Sequence, residues 1–345
     1  LATEDTGKSS VAIGYQALKN QNNDAENNNV AVGSQAGAAV TTGGANILIG
    51  GLVGDALTEG SSNVAIGQTA LTSDTLGSRS VGIGQSALFT QNFTTATDVY
   101  NVAVGYFAGA NVTTGTSNTL VGGLSGDSLT TGNNNTALGF QTLNTDTKGD
   151  RAVAIGLGAL TSQNFTTNTD NYNVAVGYFA GGAVTTGVQN AIVGGLAGDS
   201  LTDADQNTAV GYGALSADTL GSGSVAVGYL ALQDQNFTTA TTHYNVAVGH
   251  SAGKDITTGT NNTIIGGLAG DSLTDADSNV AVGQEALSTD ILGSKSTAIG
   301  REALRQQNFT TATDSFNTAA GFRAGLNVTT GTQNTLIGAI AGDAL

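Results

Sequence analysis

Residues able to do chemistry are few and lie at unpromising positions. The 345-residue chain has two histidines, His243 and His250, and no cysteine, so thiolate nucleophiles and Cys-ligated metals are excluded. Both histidines sit in repeated segments. Other copies fill the His243 position with Val99, Asn171 and Ser315, and the His250 position with Tyr106, Tyr178 and Phe322. Neither lies beside a distinctive serine or carboxylate cluster, so both read as surface residues and no enzyme is expected. The 51 glycines form no phosphate-cradling loop, since no Gly-Lys-Ser/Thr follows them. Asp203-Ala204-Asp205 and Asp275-Ala276-Asp277 pair carboxylates as a cation site would. Equivalent segments hold Glu59-Gly60 and Thr131-Gly132 instead, so no metal and no cofactor is expected.

Gly122-Gly123-Leu124-Ser125-Gly126-Asp127-Ser128-Leu129 comes near the calcium-binding pattern Gly-Gly-x-Gly-x-Asp-x-Leu-x, with the third glycine displaced by one. The unit returns only once per 72 residues, at Asp55, Asp127, Asp199, Asp271 and Asp343. A calcium roll needs tandem short turns to complete each oxygen shell. These aspartates are therefore expected to cap corners through backbone N–H groups.

Aromatic residues give the best hint of function. Eight of the 18 lie in recurrent segments built on Gln-Asn-Phe-Thr-Thr: Phe93, Tyr100, Phe165, Tyr172, Phe237, Tyr244, Phe309 and Phe316. If they protrude, they can stack on sugar rings or make lateral contacts between molecules. If they fold back, each phenylalanine plugs space that a longer loop opens. Asn-x-Thr triplets such as Asn92-Phe93-Thr94 are expected by chance in this composition and imply no glycan.

The element that must position all of these is a strand ending in glycine. A motif of the type Asn-Val-Ala-Val-Gly occurs 19 times, with glycine spacings of 19, 17, 17, 17 and 21, then 17, 17, 17 and 21 to the end. Three 17s and a 21 make a 72-residue super-repeat. Asn63 and Gly67, Asn135 and Gly139, Asn207 and Gly211, and Asn279 and Gly283 are its equivalent points. The residue before the glycine is Val, Ile or Leu in 18 of 19 copies, the exception being Ala320. It shares a strand face with the residue two earlier. Between them stands Ala or Gly in 14 copies, and Leu or Ile at Leu48, Leu120, Ile192, Ile264 and Leu336. Apolar character on both faces predicts burial of both.

Asn precedes the strand in 14 copies, and stacked copies predict an amide ladder. Helical periodicity is sustained nowhere. A strand, a corner and a polar return make one coil of an all-β parallel β-solenoid, a β-roll of 19 coils of 17 or 21 residues. Residues 1–345 read as a single continuous array, although length alone suggests two or three domains. At about 4.8 Å per rung the array predicts a rod of roughly 90 Å. A 17-residue coil encloses little core, so side-by-side chains are expected, a closed trimer rather than a monomer.

Charge narrows the partners. Ten Lys/Arg against 26 Asp/Glu give a net charge of −16, which repels phosphate backbones and anionic membrane surfaces. No apolar run is long enough to span a bilayer. The chain begins without Met or a signal peptide, and both ends fall in the repeat register, Leu1 matching Leu71 and Leu345 matching Leu273. It therefore reads as a segment of a longer array.

Ser10-Val11-Ala12-Ile13-Gly14 and Ser80-Val81-Gly82-Ile83-Gly84 resemble the head repeats of YadA-like trimeric autotransporter adhesins. Asn207 to Leu215 (Asn-Thr-Ala-Val-Gly-Tyr-Gly-Ala-Leu) is similar to repeats of bacteriophage tail fibres and bacterial surface fibres. The resemblance spans the chain, with coils longer than the adhesin head repeat. It implies a trimeric, left-handed β-roll at a cell surface or on a virion. The expected function is a structural or adhesive extracellular fibre segment, assembling end to end or laterally. The alternative is a multivalent glycan- or receptor-binding module that uses the aromatic inserts. An ice-binding surface would need a Thr array on every rung, whereas pairs such as Thr113-Thr114 recur once per four coils.

Overall fold

The structure, a computed structural model, describes residues 9–22 and 26–342; Leu1, Asp343 and Leu345 lie outside the described residues. Among the described residues every regular element is a strand: nineteen of three residues, one at each repeat glycine, and eight of two. The chain forms two compact units, Leu1–Tyr172 and Asn173–Leu345. The first holds nine of the three-residue strands and the second ten. No helix among the described residues is long and apolar enough to cross a membrane.

Within each unit the strands pair in parallel, each on the equivalent residues of the next coil. Val64–Ile66 pairs with Val81–Ile83 in the register Val64↔Val81, Ala65↔Gly82, Ile66↔Ile83. Thr208–Val210 pairs with Val225–Val227 in the same way. This is a parallel β-solenoid, with one residue of each coil directly over its counterpart.

The period of two in a strand then assigns the faces. The central residue points into the coil and is fully buried at Ala65, Ala103, Leu120, Ala226 and Ile264. The flanking Val, Ile, Leu and Thr face outward and remain half-exposed or exposed, as at Ile47, Leu138, Val193 and Ile299. Burial of both strand faces is thus not achieved within one chain. The small-residue face closes on the coil itself, and the branched face lies open.

The glycine after the strand is a steric requirement. Gly105 has φ +146°, and a Cβ there would lie 2.4 Å from the Gly122 carbonyl oxygen of the next coil. No L side chain fits both demands.

Two consecutive turns follow, with a residue in the left-handed region at their end, such as Leu71 at φ 52° or Gly109 at φ +57°. Whether that residue is Leu or Gly depends on the neighbouring strands. Leu120 fills the interior of its coil, and a Cβ at Gly109 or Gly126 would come within 2.8 Å of its methyl groups. Leu48 stands in the same relation to Gly37 and Gly54. One large strand residue therefore obliges glycine in its own turn and in the preceding one. Elsewhere a central Ala or Gly is matched by a buried Leu71, Leu88, Leu143 or Leu160. Volume is conserved between coils rather than within each one.

The return segment carries the buried amide ladder. Asn118 Nδ2 donates to the Gly132 carbonyl at 2.9 Å, and its Oδ1 accepts the Asn135 backbone N–H at 3.0 Å. The pattern recurs from Asn46 to Asn63 and from Asn190 to Asn207. Each side chain satisfies a backbone donor and a backbone acceptor of the following coil, both buried where water cannot reach them.

Two substitutions in one coil separate these effects. Asn118→Ala should destabilise the first unit by about 2–4 kcal/mol by orphaning an N–H and a C=O. Leu120→Ala should cost about 3–5 kcal/mol by opening a cavity its glycine-bearing neighbours cannot fill. Urea unfolding followed by circular dichroism reads both, and a change under about 0.5 kcal/mol in either would refute its assignment.

Candidate functional site

The 21-residue coils interrupt the ladder, because the residue before their strand is Ser80, Ala152, Ser224 or Ser296 instead of Asn. The insert restores it from the other side. Gln91, fully buried, donates from Nε2 to Asp74 Oδ2 at 2.6 Å and to Ser80 Oγ at 3.0 Å. Its Oε1 accepts from Asn101 Nδ2 at 2.9 Å, and Asn101 resumes the ladder toward Gly115. Asp74 Oδ1 accepts the backbone N–H groups of Gly77 at 3.1 Å and Phe93 at 3.0 Å. Burial holds the Asp74 carboxyl above the ordinary carboxylate range, against these hydrogen bonds, which pull it down. The Asp–Gln pair is repeated at Asp146 and Gln163, Asp218 and Gln235, and Asp290 and Gln307. Gln21 bonds Ser10 and Asn29 in the same manner in the first, shorter insert, of which residues 23–25 lie outside the described residues.

These aspartates were not singled out in the sequence, although each stands 17 residues before its glutamine. They occupy the inward column that neighbouring coils fill with Val112 and Leu129, or with Ile256 and Leu273, all buried. The core is thus apolar for two coils and polar for the next two.

The eight insert aromatics divide into two sets. Phe93, Phe165, Phe237 and Phe309 turn inward and are at least 92% buried. Tyr100, Tyr172, Tyr244 and Phe316 face solvent. The outer tip of each insert is polar, with Thr94, Thr95 and Ala96 exposed in the first.

Three of the outer rings are held by a cation of the preceding coil. Arg79 lies over Tyr100, pairs with Asp98 and donates to the Tyr100 hydroxyl at 2.8 Å. Arg151 serves Tyr172 and Asp170 in the same way, and Lys295 lies 5.4 Å from the Phe316 ring centre beside Asp314. The third insert has Gly223 in place of the cation and Thr242 in place of the aspartate, and Tyr244 is the most exposed of the four.

The expectation of two surface histidines holds for His250, which is exposed and stacks on Tyr229 with ring centres 5.1 Å apart. It fails for His243, which is fully buried against the Phe237 ring, with no hydrogen-bond partner at either nitrogen. Its position is internal in every insert, since Val99, Asn171 and Ser315 are equally buried. A position filled by valine in one copy and histidine in another gave no sign of being inside. Burial lowers the His243 imidazole below its ordinary value, opposed by the Asp218 carboxylate.

The paired carboxylates are engaged with the chain. Asp203 and Asp205 accept from the Thr186 hydroxyl at 2.6 Å and the Val188 N–H at 2.8 Å. Asp275 and Asp277 accept from the Thr258 hydroxyl and the Thr260 N–H in the same register. Between each pair, Ala204 or Ala276 is buried. The aspartates of the calcium-like segment differ between copies. Asp55 accepts from Thr72 and Asp127 from Asn144, but Asp199 Oδ1 and Asp271 Oδ1 are buried without a donor.

A scan against protein-family models and a search of curated proteins each return no match to this chain.

The two aromatic sets predict opposite outcomes. Phe165→Ala should cost about 3–5 kcal/mol, whereas Tyr172→Ala should cost at most about 1 kcal/mol; denaturant titration of both variants decides this. For His243 the native imidazole titrates below the unfolded one, so the unfolded chain binds more protons as pH falls. Stability is complete above the unfolded value of about 6.5 and declines as pH drops through it. His243→Val, which copies Val99, should raise the melting temperature at pH 5 more than at pH 8. Equal shifts at both pH values would refute the assignment.

Proposed function

We propose that this chain is a structural segment of an extracellular fibre, at a cell surface or on a virion, in which three copies associate side by side through their strand faces. The observation that carries the reading is the outward stripe of Val, Ile and Leu repeated coil after coil in each unit. Val11, Ile49, Leu138 and Ile13 in the first unit, and Val174, Ile265, Ile299 and Ile337 in the second, are all over a third exposed. Parallel neighbours about 4.8 Å apart merge such side chains into one apolar surface, larger than soluble monomers usually leave to water.

A stripe of this kind suits the same stripe on a parallel copy, since the spacing matches at every rung. The number three rests on the resemblance of segments such as Ser10 to Gly14 to YadA-like heads. On this reading the backbone ladders and buried amides give stiffness, and the inserts decorate the outer surface. Half-exposed Tyr100, Tyr172, Tyr244 and Phe316 favour a second role as lateral or glycan contacts, because their burial state costs the fold little.

Light scattering coupled to size exclusion should give a mass three times the 34.1 kDa chain. Replacing Val102 and Val104 with Lys should dissociate the assembly while β-sheet circular dichroism persists. A wild-type mass of one chain would overturn association through this face, and a mass of two would overturn the trimer alone.

A further inference from the structure

The third super-repeat contains a cleft on its turns. A cavity of about 320 Å³ opens on the turns of three successive coils, between Tyr212, Asp199 and Gln233. None of its lining residues belongs to a strand, so it is separate from the apolar stripe, and none belongs to an insert loop.

Small residues create it. At the second position after the repeat glycine this coil has Gly213, where equivalent coils have Thr69, Gln141 and Glu285. Three residues later it has Ser216, where Thr72 and Asn144 stand in the first two super-repeats. There the longer side chain bonds the carboxylate of the coil before: Thr72 to Asp55, and Asn144 Nδ2 to Asp127 Oδ1 at 2.6 Å. Ser216 makes no such bond, and Asp199 Oδ1 is left without a donor. Gln233 Oε1, on the far side of the cavity, also has none. In the fourth super-repeat, where Ser288 likewise leaves Asp271 unpaired, the neighbouring positions hold Gln284 and a Glu285–Arg305 ion pair at 3.0 Å. Among the four equivalent coils only the third joins an aromatic ring to small residues at both positions, since Phe140 stands beside Gln141 and Asn144.

That ring is a platform. Tyr212 is 52% exposed and stacks on Tyr229 on one side, with centres 5.7 Å apart. Gly195 of the preceding coil lies beside the ring and puts no side chain against it, where a Cβ would come to 3.6 Å. A hydrophobic ring face beside acceptors that lack donors is the arrangement that receives a hydroxylated ring. Apolar C–H groups lie on the aromatic face, and hydroxyls donate to the acceptors once the broad terminal torsion of Asp or Gln turns them outward. The net charge of −16 and the Asp199 carboxyl disfavour an anionic ligand, and a single carboxylate leaves a metal ion under-coordinated.

We propose that the cleft bounded by Tyr212, Asp199 and Gln233 is a binding site for one neutral pyranose unit of a glycan. Its occupancy depends on Gly213 and Ser216 leaving the cleft open, and on neither the insert aromatics nor side-by-side association.

Titration of the full chain with glucose, galactose, mannose and N-acetylglucosamine, read by saturation-transfer NMR and calorimetry, tests it. At least one sugar should bind with Kd on the order of 1 mM. Ser216→Asn, which copies Asn144, should weaken that sugar about tenfold or more by giving Asp199 its donor and filling the cleft. Tyr212→Gln, which copies Gln68, should do the same by removing the platform. Circular dichroism melting shows whether each variant keeps its fold, and two variants guard against one failing to fold. Absence of binding by all four sugars to the wild type would overturn the proposal. So would binding unchanged in a folded variant, or a site that takes Ca²⁺ instead of sugar.

Discussion

Most coils of this protein are held to the next by a buried asparagine whose amide serves the backbone of the neighbouring coil. The side chain accepts from one main-chain N–H and donates to one main-chain carbonyl. Neither group has another partner in a coil too tight for water, so a change of register by a single residue would orphan two polar groups per rung. The repeat length follows from this. A 17-residue step returns every asparagine over its counterpart, and a longer coil is admissible only if something rebuilds the missing rung. Gln91, Asp74 and their equivalents do so, which is why a buried carboxylate lies beneath each of the four 21-residue coils in an otherwise weakly charged interior.

Packing obeys the same logic of neighbours. Leu120 in a strand is accommodated because Gly109 and Gly126 stand in the turns beside it, and a side chain at either would overlap it. A coil is therefore not a self-contained unit of folding. Its interior is completed by the coils above and below, and stability propagates through nearest-neighbour terms. What a single chain does not complete is the outer strand face, where branched residues lie open along each unit. One chain closes the interior of the coils and leaves the outer strand face open.

Periodic sequence also makes departures legible. Within the third super-repeat Gly213, Gly223 and Thr242 replace larger or charged residues of the other three copies, and Ser216 replaces Thr72 and Asn144 of the first two. The first pair opens a cleft, and the second releases an aromatic ring from its cation. Deviations that would look neutral in an ordinary domain can be judged here against three internal controls with the same backbone.

The sequence by itself determined the solenoid, the parallel register and the amide ladder. Each follows from a residue type recurring at one spacing, and a backbone that repeats must place identical residues on top of one another. It also left two uses open for the insert phenylalanines, and its apolar residues on both strand faces pointed to burial of both. Tertiary structure decided those, sending Phe165 inward and Ile299 outward. The reason is that a strand shows only that its faces alternate, while which face is enclosed depends on the curvature of the coil. The buried His243 and the Asp–Gln pairs were hidden for a related cause. Their columns mix Val, Leu, Asp, Gln, Ser and His, so composition at the position averages to nothing, and only the fold shows that all of them share one interior.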